Sequence, residues 1–312
     1  MEYIEKTVKS YDETIIAYYI ANDNDKNKDK NIVIFNGLGG NIQIWKYLID
    51  FFPDYRFISW DYRGTYNSEI PLNKNDLTIN HHLRDFEKII EVEGIKNGIV
   101  LGWSLGGQIA LEYYRKNKDF FKALILVGSP YKNFLKNIID IENFYNFPKE
   151  IVNFVENFYK KINIDQKVVQ IVDWVQNFSE IYSIILKTIT NVKNPSKLLK
   201  LIQFINDNTD NDFFNEIIKS YVNLNMNSYL QIAKEVNSAN CEDILPQIKI
   251  PTLFIAGTKD IFAPLKYKIK MRKMVENSNY LEIYKGSHYS FVEFPELVNI
   301  RIKKFFRENG LK

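Results

Sequence analysis

The amino-acid sequence predicts an α/β fold, in which a mostly parallel central sheet is flanked by helices and carries an inserted, all-helical segment. Two observations predict the sheet: short apolar runs recur along the chain, and segments with apolar residues at helical spacing separate them. Strands and helices that alternate in this way form parallel sheets covered on both faces. A third observation predicts the insertion, because residues 131–240 contain no glycine and show no strand-like alternation.

Residue type and the flanking turns predict the individual elements. Two β-branched and aromatic runs, residues 3–9 and 14–20, flank a polar turn and indicate a hairpin. The parallel strands are predicted at residues 32–35, 56–60, 99–101, 123–127, 252–256 and 280–284. Helical spacing predicts helices over residues 78–92, 108–116 and 295–307, and a further helical pattern follows the glycine-rich turn at 37–40.

The helical insertion divides the chain into a core, residues 1–130 and 241–312, and a cap (or lid), residues 131–240. We interpret the aromatic and aliphatic stripes of the insertion as its own core. The insertion follows a predicted strand end, and parallel sheets carry their working groups at the carboxyl ends of strands. We therefore expect the helical block to cover a site at that edge of the sheet.

Composition excludes several classes of function. The 41 Lys and Arg residues nearly balance the 38 Asp and Glu residues, and a net charge of +3 gives no reason to expect nucleic acid or an anionic membrane as a partner. The single cysteine, Cys241, excludes an internal disulfide and a thiolate metal cluster, and we interpret it as a small buried side chain. Without a signal-like core or an apolar run of about 18 residues, we expect a soluble, cytoplasmic protein that needs no cofactor or metal.

Ser104 lies in the most informative stretch, Gly102-Trp103-Ser104-Leu105-Gly106-Gly107, between an apolar run and a helical pattern. A G-x-S-x-G sequence in this context predicts a sharp strand-to-helix turn that lifts the serine hydroxyl out of the end of a sheet. Glycines allow the tight bend, and the start of the helix directs backbone N–H groups at whatever is bonded to that oxygen. We therefore predict Ser104 as a nucleophile.

A serine nucleophile needs a base and a group that orients the base, and two other predicted strand ends supply them. Asp260 follows the strand at 252–256, and His288 follows the strand at 280–284. His288 is the only one of the three histidines that lies in a loop after a late strand. We predict Ser104, Asp260 and His288 as the catalytic residues, in that chain order.

The backbone N–H groups of Leu38 and Leu105 are the predicted oxyanion-hole donors. Leu38 lies in a glycine-rich turn after a central strand, and the glycine spacing there matches neither a P-loop nor a dinucleotide-binding motif. Each donor aimed at a developing oxyanion is worth about 3–4 kcal/mol of barrier. Asn36 and Trp103 flank these positions and are candidates for the lining of a substrate pocket, with a packing role for Trp103 as the alternative.

Other polar residues are expected to have structural roles. Asp61 and Arg63 follow the strand at 56–60, and we expect them to brace that turn by pairing with the backbone and with each other. His81 and His82 are adjacent in a predicted helix and cannot share one helix face, so they do not suggest a metal pair. We interpret them as surface or rim residues.

These motifs resemble those of the α/β-hydrolase fold superfamily over residues 32–130 and 250–312. The matching sequences are Asp61-x-Arg63-Gly64 with Ser68, Gly102-x-Ser104-x-Gly106-Gly107, Gly257-x-x-Asp260 with Pro264, and Gly286-x-His288 with Glu293-x-Pro295. The resemblance implies an α/β-hydrolase fold with a cap domain, Ser104 as nucleophile, His288 as base and then acid, and Asp260 as its orienting partner. It also implies the N–H groups of Leu38 and Leu105 as oxyanion donors.

The chain departs from the superfamily pattern at two positions. Many members have His-Gly where this chain has Asn36-Gly37, and many have a glycine where this chain has Tyr66. We expect the contacts of these two loops to differ accordingly. The Gly-Trp-Ser-Leu-Gly-Gly form resembles that of esterases that cleave pimeloyl-carrier-protein methyl esters, although six residues assign no substrate.

The predicted function is hydrolysis of a carboxylic ester of a small or medium apolar acid through an acyl-enzyme, with a small-molecule ester or acyl compound as the partner. A serine at position 104 disfavours dehalogenase and epoxide hydrolase reactions, because those members of the superfamily use an aspartate there. Acyl transfer, amide or peptide hydrolysis and C–C bond hydrolysis use the same three residues and stay open. A non-catalytic ligand receptor of the same fold is the remaining alternative, which the intact catalytic positions disfavour.

Overall fold

Eight strands form a single sheet in the part of the chain that the structure describes, in the spatial order β1-β2-β4-β3-β5-β6-β7-β8. This computed structural model describes residues 1–73, 75–132, 194–201 and 204–311. The strands are β1 (Tyr3–Lys9), β2 (Ile15–Ala21), β3 (Asn31–Phe35), β4 (Arg56–Trp60), β5 (Gly98–Trp103), β6 (Phe121–Val127), β7 (Thr252–Gly257) and β8 (Ser278–Ile283). The β1–β2 hairpin joins β4 antiparallel, whereas β4, β3, β5, β6, β7 and β8 are parallel neighbours. The predicted hairpin and the mostly parallel sheet are confirmed.

Helices pack on both faces of the sheet. The described α-helices are Lys46–Phe51, Ile79–Val92, Leu105–Lys116, Pro195–Leu201, Asn211–Ser220, Met226–Ser238, Leu265–Met274, Ser290–Glu293 and Pro295–Glu308. Alternate residues of β3 enter two separate hydrophobic clusters, Val33 and Phe35 on one face and Ile32 and Ile34 on the other. The wholly apolar sequence of this strand is therefore explained by burial on both faces.

The described part of the predicted insertion is helical and lies over the carboxyl edge of the sheet. Its last two helices, Asn211–Ser220 and Met226–Ser238, flank a segment that reaches the turn after β3. A Cβ on Gly39 of that turn would lie 3.1 Å from Leu224 Cδ1 and 3.2 Å from Tyr229 Cε2. Residues 133–193 of the predicted cap lie outside the described residues, so the division at 131 and 240 stays a prediction.

Arg63 is fully buried, and two carboxylates neutralise its guanidinium. Nε and Nη2 donate to the two carboxylate oxygens of Asp85 at 2.8 and 2.5 Å, and Nη1 donates to Asp12 at 2.9 Å. Asp85 is also buried and accepts a hydrogen bond from the Ser10 hydroxyl at 2.5 Å. This network joins the N-terminal hairpin to the helix that carries Asp85 and to the turn after β4.

The expectation that Asp61 and Arg63 pair with each other is wrong. Asp61 instead accepts hydrogen bonds from the Tyr19 hydroxyl at 2.7 Å and from the Asn67 N–H at 3.2 Å. Tyr19, Asp12 and Asp85 come from distant parts of the chain, whereas the Asn67 N–H belongs to the same turn as Asp61. The expected pairing with the backbone is confirmed, since Asp61 accepts from the Asn67 N–H and Arg63 Nη1 donates to the Asp76 carbonyl at 3.1 Å.

The interpretation of His82 as a surface or rim residue is also wrong. His82 is fully buried against the ring of Tyr62, with ring centroids 4.9 Å apart, and burial lowers the pKa of its imidazole to about 3. Its position, four residues before Phe86, puts it on the core face of the helix. His81 is half-buried near the helix start, where its Nδ1 lies 2.7 Å from the Thr78 hydroxyl.

Cys241 is buried, as the sequence predicted, and burial raises the pKa of its thiol. Among the described residues, no helix combines the length and the apolar character that crossing a membrane requires.

We expect Arg63→Leu to lower the free energy of unfolding by about 3–5 kcal/mol, because the substitution leaves Asp85 charged and buried without its partner. Urea unfolding of the wild type and the variant measures the difference. Arg115→Leu is the matched control, since Arg115 pairs with Glu112 and Asp243 at the surface, and it should cost less than about 1 kcal/mol. Equal losses in the two variants would contradict the argument.

Candidate active site

Ser104 lies between β5 and the helix Leu105–Lys116 in a backbone conformation that residues other than glycine rarely adopt. Its φ is 54° and its ψ is −128°. Such a conformation persists only where the surrounding structure holds it, and the Ser104 N–H donates to the carbonyl of Val127 at 2.9 Å. The residue is half-buried. The predicted strand-to-helix turn is confirmed.

Close backbone packing explains the glycines of this turn. A Cβ on Gly106 would lie 2.1 Å from the carbonyl oxygen of Phe35, and a Cβ on Gly102 would lie 2.6 Å from Cα of Gly107. No side chain fits at either position without displacing backbone. The first turn of the helix therefore rests directly on the end of β3, and this contact defines the position of Ser104.

Asp260 and His288 form a buried hydrogen-bonded pair. Nδ1 of the imidazole lies 2.9 Å from Oδ1 and 3.0 Å from Oδ2 of the carboxylate. Oδ1 also accepts from the N–H groups of Phe262 and Ala263 at 3.0 and 2.9 Å. Burial by itself raises the pKa of Asp260, but the His288 imidazole, the Lys268 ammonium and the Ala263 N–H together lower it below its ordinary value. An ionised Asp260 orients the ring with Nδ1 toward the carboxylate and Nε2 away from it.

The parallel sheet brings the three predicted catalytic residues to one edge. Ser104, Asp260 and His288 follow β5, β7 and β8, respectively. Gly128, at the end of the intervening strand β6, packs on the pair: a Cβ there would lie 3.1 Å from Asp260 Oδ2 and 3.2 Å from His288 Nδ1. Among the three predicted catalytic residues, the structure shows a hydrogen bond only between Asp260 and His288. Within the described residues, no hydrogen bond joins the Ser104 hydroxyl to the imidazole.

The imidazole of His288 contacts two aromatic rings. Its ring centroid lies 5.6 Å from that of Trp103 and 4.9 Å from that of Phe262. The Trp103 indole N–H also donates to the His288 carbonyl at 3.2 Å. Because Trp103 immediately precedes Ser104, this contact ties the serine turn to the histidine loop.

The turn that carries Leu38 packs on the same indole. A Cβ on Gly37 would lie 2.6 Å from the Trp103 ring, and a Cβ on Gly40 would lie 2.7 Å from it. Leu105 is the first residue of its helix, where backbone N–H groups have no partner within the helix. The turn of Leu38 and the N–H of Leu105 thus border the same strand-to-helix turn.

Asn36 and Trp103, the two candidates for pocket lining, both have packing roles in the structure. Asn36 is 1% exposed, its Nδ2 donates to the Ser59 hydroxyl at 2.8 Å, and its Oδ1 accepts from the Trp45 indole at 2.9 Å. Trp103 is 2% exposed. The packing alternative for Trp103 is supported, and contact of either side chain with substrate stays a prediction.

Tyr66 supplies a contact to the turn of Leu38 that the sequence did not reveal. Its φ is 43°, and its hydroxyl donates to the carbonyl of Gly39 at 2.5 Å. The sequence marked Tyr66 only as a departure from a glycine. In the structure, this departure places a side-chain donor on the residue next to Leu38.

Glu293 is a second residue whose role the sequence did not show. Its buried carboxylate accepts from the N–H of Ser287 and the N–H of Asn206, both at 2.8 Å, and also from the Ser287 hydroxyl. Burial raises the pKa of this carboxyl group. Glu293 therefore holds Ser287, the residue just before His288, in place. Its position in the motif Glu293-x-Pro295 was the feature of the sequence that could have indicated this role.

Lys268 is a third residue whose burial the sequence analysis did not predict. It is 1% exposed, and its Nζ has no hydrogen-bond partner within the described residues. Burial lowers the pKa of this ammonium group to about 8, and the negative charge of Asp260 acts in the opposite direction. Helical spacing could have predicted this burial, because Lys268 lies on the same buried face of its helix as Met271.

Comparison with known proteins agrees with this architecture. Residues 30–295 match the profile of a protein family described as the alpha/beta hydrolase fold. The chain belongs to this family. The resemblance inferred from the motifs is thereby confirmed, and the protein is a hydrolase of the alpha/beta fold.

Curated relatives within the family differ in the reactions that their names state. The chain is 29% identical over 282 residues to a pimeloyl-[acyl-carrier protein] methyl ester esterase from Wigglesworthia glossinidia brevipalpis, covering 89% of this chain and 94% of the relative. It is 23% identical over 297 residues to an epoxide hydrolase 1 from Caenorhabditis elegans, covering 93% and 68% of the two chains.

Solved structures show the same alpha/beta hydrolase fold. An esterase from Exiguobacterium antarcticum superposes with a TM-score of 0.65 at 18% identity, covering 97% of this chain and 100% of the esterase. An enol-lactonase from Burkholderia xenovorans LB400 superposes with a TM-score of 0.65 at 17% identity and the same coverage. At this identity the likeness concerns the fold alone.

We expect Lys268→Met to stabilise the folded protein at pH 7. The pKa of Lys268 is about 8 in the folded state, below its ordinary value of 10.5. The Lys268 side chain therefore binds more protons in the unfolded chain between these two pH values, and its own contribution to stability rises with pH through that window. Removing the ammonium should raise the free energy of unfolding by about 3 kcal/mol at pH 7, and the difference should vanish above about pH 10.5.

Urea unfolding at the two pH values tests this expectation, with Lys273→Met as the control because Lys273 is exposed on the same helix. A Lys268→Met variant that is no more stable than wild type at pH 7 would show that the ammonium has a stabilising partner.

Proposed function

We propose that this protein hydrolyses carboxylic esters through an acyl-enzyme formed on Ser104. The observation that carries the proposal is the buried Asp260–His288 pair, hydrogen-bonded at 2.9 Å and located at the same sheet edge as the strained Ser104. A serine in a strained strand-to-helix turn, at the same sheet edge as an oriented imidazole, is typical of the nucleophiles of this fold.

In the first half of the reaction, the Ser104 hydroxyl attacks the ester carbonyl carbon while His288 Nε2 takes the hydroxyl proton. Asp260 stabilises the imidazolium that forms and holds its Nδ1 side. The carbonyl oxygen becomes an oxyanion, which the N–H groups of Leu38 and Leu105 bind. The intermediate then releases the alcohol, which receives its proton from the imidazolium, and Ser104 remains esterified.

Water completes the reaction in the second half. His288 removes a proton from a water molecule as that water attacks the acyl carbonyl carbon, and the same N–H groups bind the second oxyanion. The second intermediate then releases the carboxylic acid. The imidazolium returns its proton to Ser104, which restores the starting state. In acyl transfer, an alcohol or amine would take the place of this water.

An aromatic cluster beside His288 favours an apolar acyl group of small or medium size. Phe204 contacts both Phe262 and Tyr289, with ring centroids 5.7 and 6.3 Å apart, and Phe214 meets Tyr289 at 5.0 Å. Phe204 and Phe214 belong to the described part of the predicted cap. Phe214 and Tyr289 are buried, so the half-buried Phe204 and Phe262 are the rings that can contact an acyl chain and exclude water from the reacting ester. The methyl ester in the name of the Wigglesworthia relative supports a carboxylic ester as the substrate.

We expect a fluorophosphonate probe to label the wild-type protein on Ser104, because an activated serine displaces fluoride from phosphorus. Mass spectrometry of the intact protein and its peptides locates the adduct. Ser104→Ala should lose the adduct completely, and the control Ser238→Ala, which changes an exposed helix-end serine, should keep it. Labelling that survives in Ser104→Ala would refute the assignment of the nucleophile.

We expect hydrolysis of p-nitrophenyl esters with short and medium acyl chains, with kcat reduced ~10⁴–10⁶-fold in Ser104→Ala or His288→Ala. Asp260→Asn should lower kcat by ~10⁴-fold, because the amide favours the wrong tautomer of the imidazole. Steady-state kinetics over a series of acyl lengths measures both effects. A loss below tenfold in any of the three variants would remove that residue from the mechanism.

A further inference from the structure

Two tyrosine hydroxyls join the turn after β4 to the loop after β3. The Tyr62 hydroxyl donates to the carbonyl of Asn36 at 2.8 Å, and the Tyr66 hydroxyl donates to the carbonyl of Gly39 at 2.5 Å. The two acceptors lie on either side of Leu38 along the chain. The turn after β4 therefore holds the loop both before and after the residue whose N–H is the proposed oxyanion donor.

The loop itself contains a tight turn around Leu38. The N–H of Gly40 donates to the carbonyl of Gly37 at 2.9 Å, which places Leu38 and Gly39 at the two central positions of a β-turn. Gly39 has a φ of 77°, the value that the second central residue of a type II turn adopts. The peptide between Gly39 and Gly40 is thus bonded at both ends, since its N–H donates to Gly37 and its carbonyl accepts from Tyr66. A rotation of this peptide would break both bonds.

The backbone of Tyr66 has a φ of 43°, which residues other than glycine rarely adopt. A glycine would adopt this conformation with little strain, but it would carry no side-chain donor. Bonds on both sides maintain the conformation: the Thr65 N–H donates to the Tyr62 carbonyl at 2.9 Å, and the Asn67 N–H donates to Asp61 at 3.2 Å. The strained backbone is therefore part of what directs the hydroxyl toward the loop.

Packing limits the position of the turn on two other sides. A Cβ on Gly37 would lie 2.6 Å from the Trp103 ring, and a Cβ on Gly39 would lie 3.1 Å from Leu224 Cδ1 of the predicted cap. Apolar contacts of this kind are not directional, whereas a hydrogen bond depends on the angle at which its donor meets the carbonyl. The bond from Tyr66 therefore adds control over the orientation of the turn that packing does not supply.

We propose that Tyr66 is a positioning residue whose hydroxyl holds this turn so that the Leu38 N–H points at the developing oxyanion. The inference rests on the proposed function, because it needs an acyl-transfer reaction at Ser104. Oxyanion donors are effective when they are oriented before the charge develops. A donor that is turned away weakens binding of the transition state, and the affinity for the ester itself changes little.

Tyr66→Phe tests the proposal, because it removes the hydroxyl and retains the ring. We expect kcat for p-nitrophenyl esters to fall about tenfold and KM to stay within about twofold of the wild-type value. The loss should be smaller than the roughly 10²–10³-fold that follows deletion of an oxyanion donor, because the Leu38 N–H is still present and only its orientation is less fixed. Steady-state kinetics of the full-length protein measures both constants.

A trifluoromethyl ketone provides a second measurement that a purely structural role of Tyr66 would not change. The Ser104 oxygen adds to the ketone carbon, its proton passes to His288, and the ketone oxygen becomes an oxyanion like that of the transition state. We expect the inhibition constant of this ketone to rise about tenfold in Tyr66→Phe, in parallel with the loss of kcat/KM. A bond that served stability alone would lower the melting temperature and leave the inhibition constant unchanged.

Tyr55→Phe is the matched control. The Tyr55 hydroxyl also donates to a backbone carbonyl, that of Leu311, at 2.6 Å. Because Tyr55 immediately precedes β4, this bond lies at the opposite edge of the sheet from Ser104. We expect Tyr55→Phe to keep the wild-type kcat and the wild-type inhibition constant.

The outcomes separate this inference from the proposed function. Wild-type kcat and inhibition constant in Tyr66→Phe, a change confined to KM, or equal losses in the two variants would overturn the role of Tyr66 and leave hydrolysis at Ser104 intact. A wild-type protein that neither hydrolyses the esters nor binds the ketone would refute the proposed function, and the role of Tyr66 with it.

Discussion

The contact between the first turn of the helix Leu105–Lys116 and the end of β3 is the constraint on which the rest of the site depends. Gly106 lies against the Phe35 carbonyl so closely that only a hydrogen fits there. This contact leaves Ser104 with a positive φ of 54°, a conformation that is unfavourable by about 1–3 kcal/mol on its own. Burial of the surrounding strands on both faces supplies the compensating free energy and makes the strained position rigid. A serine on a flexible loop would relax to an ordinary conformation and lose its placement at the sheet edge.

Buried charge is distributed in two ways in this molecule. Arg63 and Asp85 satisfy each other far from solvent, and their network fastens the hairpin to the helical layer. Other buried polar groups of the described residues have no hydrogen-bond partner, among them Asp61 Oδ1, Lys268 Nζ and both ring nitrogens of His82. Unpaired groups of this kind reduce the stability of the folded state.

Much of the fold and of the site was predictable from the sequence, because the relevant signals are local. The apolar run of β3, the glycines around Ser104 and the strand-end positions of Asp260 and His288 each follow from a few neighbouring residues. The failures have a common cause. The burial of His82 against Tyr62, the bond of Asp61 to Tyr19 and the bond of Arg63 to Asp85 result from contacts between distant segments, and a local window contains no information about them. The role of Tyr66 was missed for the same reason, since the carbonyl that it contacts is 27 residues away.

The sequence by itself determined the class of fold, the alternation of strand and helix and the strand-end positions of the residues that we propose for acyl chemistry, because backbone preferences and apolar periodicity are encoded residue by residue. Only the tertiary structure decided which charges meet. It paired Asp260 with His288 and Arg63 with Asp85. It also placed Lys268 near Asp260 and buried one oxygen of Asp61, and neither Lys268 Nζ nor that oxygen has a hydrogen-bond partner among the described residues. Electrostatic energies depend on distance and on burial in a low-dielectric interior, and both quantities exist only after the chain has folded.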